Sequence, residues 1–129
     1  GWAVEAARNP DLLRQRDEQL DRLWQIMRAD TLGRLRWARD LSAEADALPS
    51  LLDCWLGWWR DLMLWRVGCR EAISNVDQEA TLAATEGTYS LAELAAGLRA
   101  LGQARRRLES NANPRLALEV LFLAFGRGI

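Results

Sequence analysis

Arginine is the residue type in this chain best equipped for chemistry. All seventeen basic residues are arginine, and neither lysine nor histidine occurs. The absence of histidine removes the usual general base and the commonest metal ligand. The absence of lysine rules out the phosphate loop Gly-x-x-x-x-Gly-Lys. Binding is what remains, and the densest cluster is Arg105, Arg106 and Arg107, with Arg99 upstream on the same predicted helix. Two readings stay open for it: charge-assisted contacts to phosphate, or a solvated helix C-terminus favoured by the macrodipole. Arg60 and Asp61 are neighbours and point about 100° apart on a helix, so each should meet a group from another helix or subunit. Arg115 and Glu119, four residues apart, can form an internal pair or an intersubunit contact.

The other reactive side chains offer less. Asp17, Glu18 and Asp21 have the spacing of a solvated helix face, not of a cation site. Cys54 and Cys69 fall fifteen residues apart on one predicted helix, about 22 Å at the usual rise, so they cannot pair within it and read as reduced thiols. No serine sits in a strained elbow beside a base. The expectation is a chain with no catalytic residue, no metal site and no cofactor. Seventeen basic against eighteen acidic residues give a net charge of −1, which argues against a protein whose main task is coating nucleic acid.

The elements that must position these residues are helices. Half of the 129 residues are hydrophobic, while Val, Ile and Thr are scarce beside Leu, Ala and Arg, so the expected class is all-α. The length fits a single domain with a proper core. Asn9 and Pro10 cap and open a helix to about Arg28, with Leu13, Leu20, Leu23, Trp24 and Met27 as its buried stripe. Asp30 or Thr31 starts the next, in which Leu32, Leu35, Ala38, Leu41, Ala45 and Leu48 recur; the stretch 47–50, with Pro49, breaks it. Ser50 and Asp53 read as a capping box opening a helix over 51–72. A short helix holds Ala80, Leu82 and Ala83 and stops at Gly87. Ser90 and Glu93 form a second capping box for a long helix to about Ser110, where Gly97 and Gly102 can admit a close neighbour. Asn113 caps the closing helix, Pro114 opens it, and apolar residues to Phe125 point all round. A helix without a wet face should be enclosed, so this one is expected at the centre of the bundle or between subunits. The architecture is a single helical bundle of about five long helices plus one short helix.

Seven tryptophans need a home. Trp55, Trp58, Trp59 and Trp65 crowd the helix over 51–72, either enclosed by neighbouring helices or partly spent on a partner, since Trp and Arg are enriched at interfaces. A membrane reading of that helix fails on its charges, each costing about 2.5 to 3.5 kcal/mol at a bilayer centre.

Two stretches carry a family resemblance. Leu108, Asn111, Asn113, Arg115, Leu116, Leu118 and Glu119, followed by Leu121, Phe122 and Leu123, resemble the end of the C-terminal domain of the bacterial DNA polymerase III delta-prime subunit. Trp59, Arg60, Asp61 and Leu62 through Gly68 resemble the same family a second time. Gly1, Trp2 and Ala3 resemble the tail of the lid helix that closes its AAA+ ATPase module. The resemblance implies that residues 1–8 end such a lid and that 9–129 form a helical collar domain, a non-catalytic assembly module of the clamp loader, within a holoenzyme that is a DNA-directed DNA polymerase. It implies other clamp-loader subunits, gamma/tau and delta, as partners, contact with DNA only through the complex, no membrane, and a cytoplasmic setting. Trp58, Trp59, Arg60, Asp61, Asn111, Asn113, Arg115, Leu116 and Glu119 become candidate interface or motif residues. The isolated chain is expected to be a monomer or to self-associate weakly. The gamma/tau subunit is the rival within the family, and its usual continuation beyond this domain tilts the expectation to delta-prime. Outside it, the rival is a helical ligand-binding domain whose tryptophans line an apolar pocket.

Overall fold

The computed structural model describes residues 9–126, apart from the side chain of Glu86. The lid-helix tail expected over 1–8 lies outside the described residues. Among the described residues, six α-helices account for most of the length. Helix α1 (Pro10–Arg28) starts where the Asn9 side chain accepts the Asp11 N–H at 3.0 Å and Pro10 takes the first turn. Helix α2 (Thr31–Ser42) is capped by Asp30, whose Oδ1 accepts the Gly33 N–H at 2.8 Å. A 3-10 turn (Ala45–Ala47) leads into α3 (Leu48–Arg66). Two more 3-10 turns precede α4 (Glu79–Glu86), and α5 (Leu91–Glu109) opens on the complete Ser90/Glu93 capping box. Helix α6 (Pro114–Ala124) closes the described chain. The fold is an all-α bundle of five longer helices and a short one, as the periodicity predicts.

The limits of α3 differ from expectation at both ends. The helix begins at Leu48, fed by the 3-10 turn, with Pro49 in its first turn and no side-chain cap, so Ser50 and Asp53 are not a capping box. It ends at Arg66 and not near residue 72. Gly68 adopts φ 88°, and the Gly68 and Cys69 N–H groups return to the Trp65 and Leu64 carbonyls at 3.2 and 2.8 Å. This paired 5→2 and 6→1 closure is a Schellman termination, which a glycine in the left-handed region makes possible. Cys69 therefore lies beyond the helix, exposed, while Cys54 stays on α3.

The centre of the bundle is α3. It packs against α5, α4 and α1, whereas α6 lies against α2 and α5. Nine α3 residues are buried, Trp55, Trp58 and Trp59 among them, against four in α6. Of the two positions expected for α6, the centre of the bundle thus belongs to α3. The physical reason is side-chain width: indoles on several faces of α3 need helices on several sides, while Ala117, Leu118, Leu121 and Phe122 satisfy one face of α6. Aromatic contacts join the two helices, with Trp55 to Phe122 at 6.0 Å and Trp59 stacked on Phe125 at 5.3 Å between ring centres. Gly97 admits a side chain and not a helix backbone. A Cβ there would lie 1.9 Å from the Trp59 Nε1, so only glycine lets that indole lie flat on α5.

Candidate subunit interface

Helix α6 is set up by the turn before it. Asn111 takes a left-handed backbone (φ 61°), which asparagine tolerates better than most residues. The Ala112 N–H then reaches back to the Arg107 carbonyl at 2.9 Å. Asn113 Oδ1 accepts the Leu116 N–H at 3.1 Å, and Pro114 occupies the first helical position. With α6 thus started, its inner face falls on Ala117, Leu118, Leu121 and Phe122, and the same rotation turns Leu116, Val120 and Leu123 outward. These three, spaced i, i+4 and i+7, are 60, 42 and 52 % exposed. Arg115 and Glu119 flank the stripe and lie 3.4 Å apart, so the pair closes within the helix.

The far end of α6 is held by a buried arginine. Arg34, on α2, donates to the Phe122 carbonyl at 2.9 Å and to the Gly126 carbonyl, and to the Ile26 and Met27 carbonyls at 3.1 and 3.0 Å. One guanidinium thereby serves the C-terminal ends of α1 and α6, where carbonyls lack intrahelical partners and the helix dipole is negative. Burial pulls the Arg34 pKa below its ordinary value. No acidic side chain is bonded to it among the described residues; the carbonyls are its partners. Arg34 is absent from the candidate residues named from the sequence, although it falls in register with buried Ala38 and Leu41, which was the available signal.

The remaining candidates scatter. Trp58 and Trp59 are core residues, 1 and 2 % exposed. Asp61 is buried and accepts from the Ser74 and Asn75 N–H groups and from Asn75 Nδ2, fixing the loop after α3. Its partners come from this chain, and Arg60 beside it is exposed. Buried Arg16 continues that polar cluster, donating to Asn75 Oδ1 at 2.7 Å and pairing with Asp77, which holds the Asp77 carboxyl below its usual range. Arg105 is bound to Asp53 at 2.9 Å and to Glu109 at 3.3 Å, whereas Arg106 and Arg107 are exposed with no ion pair among the described residues. The tryptophan cluster is enclosed by its neighbours. It does border a cleft of about 380 Å³ lined by Trp24, Trp58, Trp59, Leu62, Thr81 and Tyr89. The buried Nε1 atoms of Trp24 and Trp59 have no hydrogen-bond partner, but that of Trp59 lies against Gly97 on α5, which does not line the cleft. Burial pushes the Cys54 thiol up to about 11, so it is a poor nucleophile. Among the described residues no group of three or more His, Cys, Asp or Glu side chains is placed to hold a metal, and no helix is long and apolar enough to cross a membrane.

The family described as DNA polymerase III, delta subunit, C terminal, matches residues 10–127. The chain belongs to this family. The match spans all six helices, so this delta-type C-terminal domain is a helical domain of a DNA polymerase III clamp-loader subunit, and other subunits of that complex are plausible partners. No curated protein and no solved structure matches the chain at a significant level. Within the delta-type domain, the exposed α6 stripe is the surface whose chemistry most resembles the core of a protein interface.

Proposed function

We propose that this domain is the assembly module of a delta-prime subunit, joining it to the gamma/tau and delta subunits of the clamp loader and having no catalytic role of its own. Membership of the family supports the clamp-loader setting. The choice of delta-prime rests on the motifs Leu108 to Leu123 and Trp59 to Gly68, and gamma/tau is the alternative. The observation that carries the assembly role is the stripe of Leu116, Val120 and Leu123, more than two-fifths exposed at each position on a helix whose other face is fully packed. An apolar stripe framed by polar residues is the arrangement found at the centre of protein interfaces.

The test is reconstitution. Mixed at micromolar concentration with the C-terminal domains of gamma/tau and delta, the chain should form a complex whose mass by light scattering exceeds that of any component. Replacing Leu116, Val120 and Leu123 together by Gln should abolish it. An absence of association with every partner domain would sink the assembly role. The finer assignment is tested by omission: the chain should restore a mixture lacking the delta-prime domain and fail to restore one lacking gamma/tau.

A further inference from the structure

The exposed side of α5 carries a second surface, distinct in chemistry from the α6 stripe. Residues 94–126 contain five arginines and two glutamates, a local excess of three positive charges in a chain of net charge −1. The carboxylates of that region are already engaged: Glu109 pairs with Arg105, and Glu119 with Arg115. Arg105 is drawn further aside by Asp53 of α3. That leaves Arg99, Arg106 and Arg107, all exposed and free of ion pairs among the described residues. Arg99, Gln103 and Arg106 recur at four and three residues, so they share one side of the helix, with Arg107 beside them. Gly102 lies between Arg99 and Arg106, and the Arg106 guanidinium folds back along the helix until its Nη1 would lie 3.4 Å from a Cβ at that position, an ordinary contact. Just past it, Gln103, Arg106, Arg107, Ser110 and Ala112 line a shallow cavity of about 310 Å³.

We infer that Arg99, Arg106 and Arg107, with Gln103 and Ser110 beside them, form a contact surface for the phosphate backbone of DNA. The composition favours phosphate over an acidic protein segment. A protein interface sets its arginines among apolar and aromatic anchors, whereas from Arg99 to the Ser110 cap the exposed positions of α5 hold only Arg, Gln, Glu and Ser. Arg, Gln and Ser are the side chains that contact phosphates without reading sequence. Arg99 and Arg106 stand two turns apart, about 10 Å along the helix, far enough to reach separate phosphates of one strand. The surface is independent of which subunit the domain represents and of the partner that covers α6.

The probe is a fluorescein-labelled primed duplex of arbitrary sequence, titrated with the 129-residue chain and followed by anisotropy. Three neutralised phosphates give a slope of about −2.7 in log affinity against log salt, so a fourfold rise in salt should weaken binding about 40-fold. Changing the sequence of the duplex should leave the affinity unaltered. The triple variant R99A/R106A/R107A should keep the thermal midpoint, because all three side chains are exposed, and should lose the salt-dependent binding. A control, R28A/R36A, removes two exposed arginines of α1 and α2 and should bind like the parent. Binding of equal strength and slope by the triple variant, equal loss in the control, no binding at 20 mM salt, or preferential capture of labelled polyglutamate would each overturn the inference.

Discussion

Helix α3 carries charges at Asp53, Arg60 and Asp61 and is enclosed; helix α6 has only Arg115 and Glu119 among its charged residues and leaves a face in water. Apolar content alone therefore does not decide which helix is central. The two differ in how their side chains make contact. In α3 the indoles of Trp55, Trp58 and Trp59 reach different neighbours: Phe122 on α6, Trp24 on α1, and Tyr89 before α5. Its one buried charge, Asp61, is satisfied by donors from Ser74 and Asn75, and Asp53 and Arg60 sit on the exposed edge. Helix α6 is narrower in its demands, with one packed face and a polar clamp from Arg34 at its end. A central helix is fixed by sterics on all sides, an edge helix by one face and its termini.

A large expected effect tests that clamp. Arg34→Met keeps the apolar stem and removes the donors to four carbonyls, so stability should fall by about 3 kcal/mol in denaturant titration. Amide exchange should accelerate more in the last turn of α6 than in the middle of α3. Equal loss of protection in the two helices would break the distinction between them. Next in size is Gly97→Ala. Alanine gains about 1 kcal/mol of helix propensity over glycine, but its Cβ would overlap the Trp59 ring, and overpacking costs about 1 to 3 kcal/mol. A net loss of up to about 2 kcal/mol is expected, relieved when Trp59→Leu is added. Independent, additive effects in that double-mutant cycle would mean that the contact is not what requires glycine.

Helix number, class and most boundaries were legible because caps and periodicity are local. Asn9, Asp30, Ser90 and Asn113 each bind the backbone N–H of their own first turn, so the sequence shows them without the fold. The S-x-x-D at Ser50 and Asp53 misled because Asp53 had a distant option, Arg105, that spacing along the chain does not display. Gly68 was visible, but its left-handed backbone depends on whether the helix can close on Trp65 and Leu64. At the candidate site, the α6 residues were legible as apolar and not as exposed, since exposure depends on which face α2 and α5 cover. Arg34 was hidden by its type: an arginine on a buried stripe reads as surface until the carbonyls of two other elements converge on it. The family match over 10–127 covers the resembling stretches at Trp59 to Gly68 and Leu108 to Leu123, and leaves the subunit among delta, delta-prime and gamma/tau to experiment.

The smallest effect on stability sharpens the comparison most. Leu116, Val120 and Leu123 lie outside the core, so exchanging all three for Gln, a better helix former than Val, should change the unfolding free energy by no more than about 0.5 kcal/mol. The inner residue Leu118 is fully buried, and Leu118→Ala should cost about 2 to 5 kcal/mol by cavity formation. The two faces of one helix then differ several-fold in their contribution to the isolated fold. Chemical denaturation of the triple Gln variant and of Leu118→Ala under identical conditions measures that ratio. A loss above about 1 kcal/mol for the triple variant would show that the outer stripe already stabilises the lone domain. Unchanged stability together with lost association would assign the stripe to contact with another subunit, because the only apolar surface removed would be surface that the monomer leaves in water.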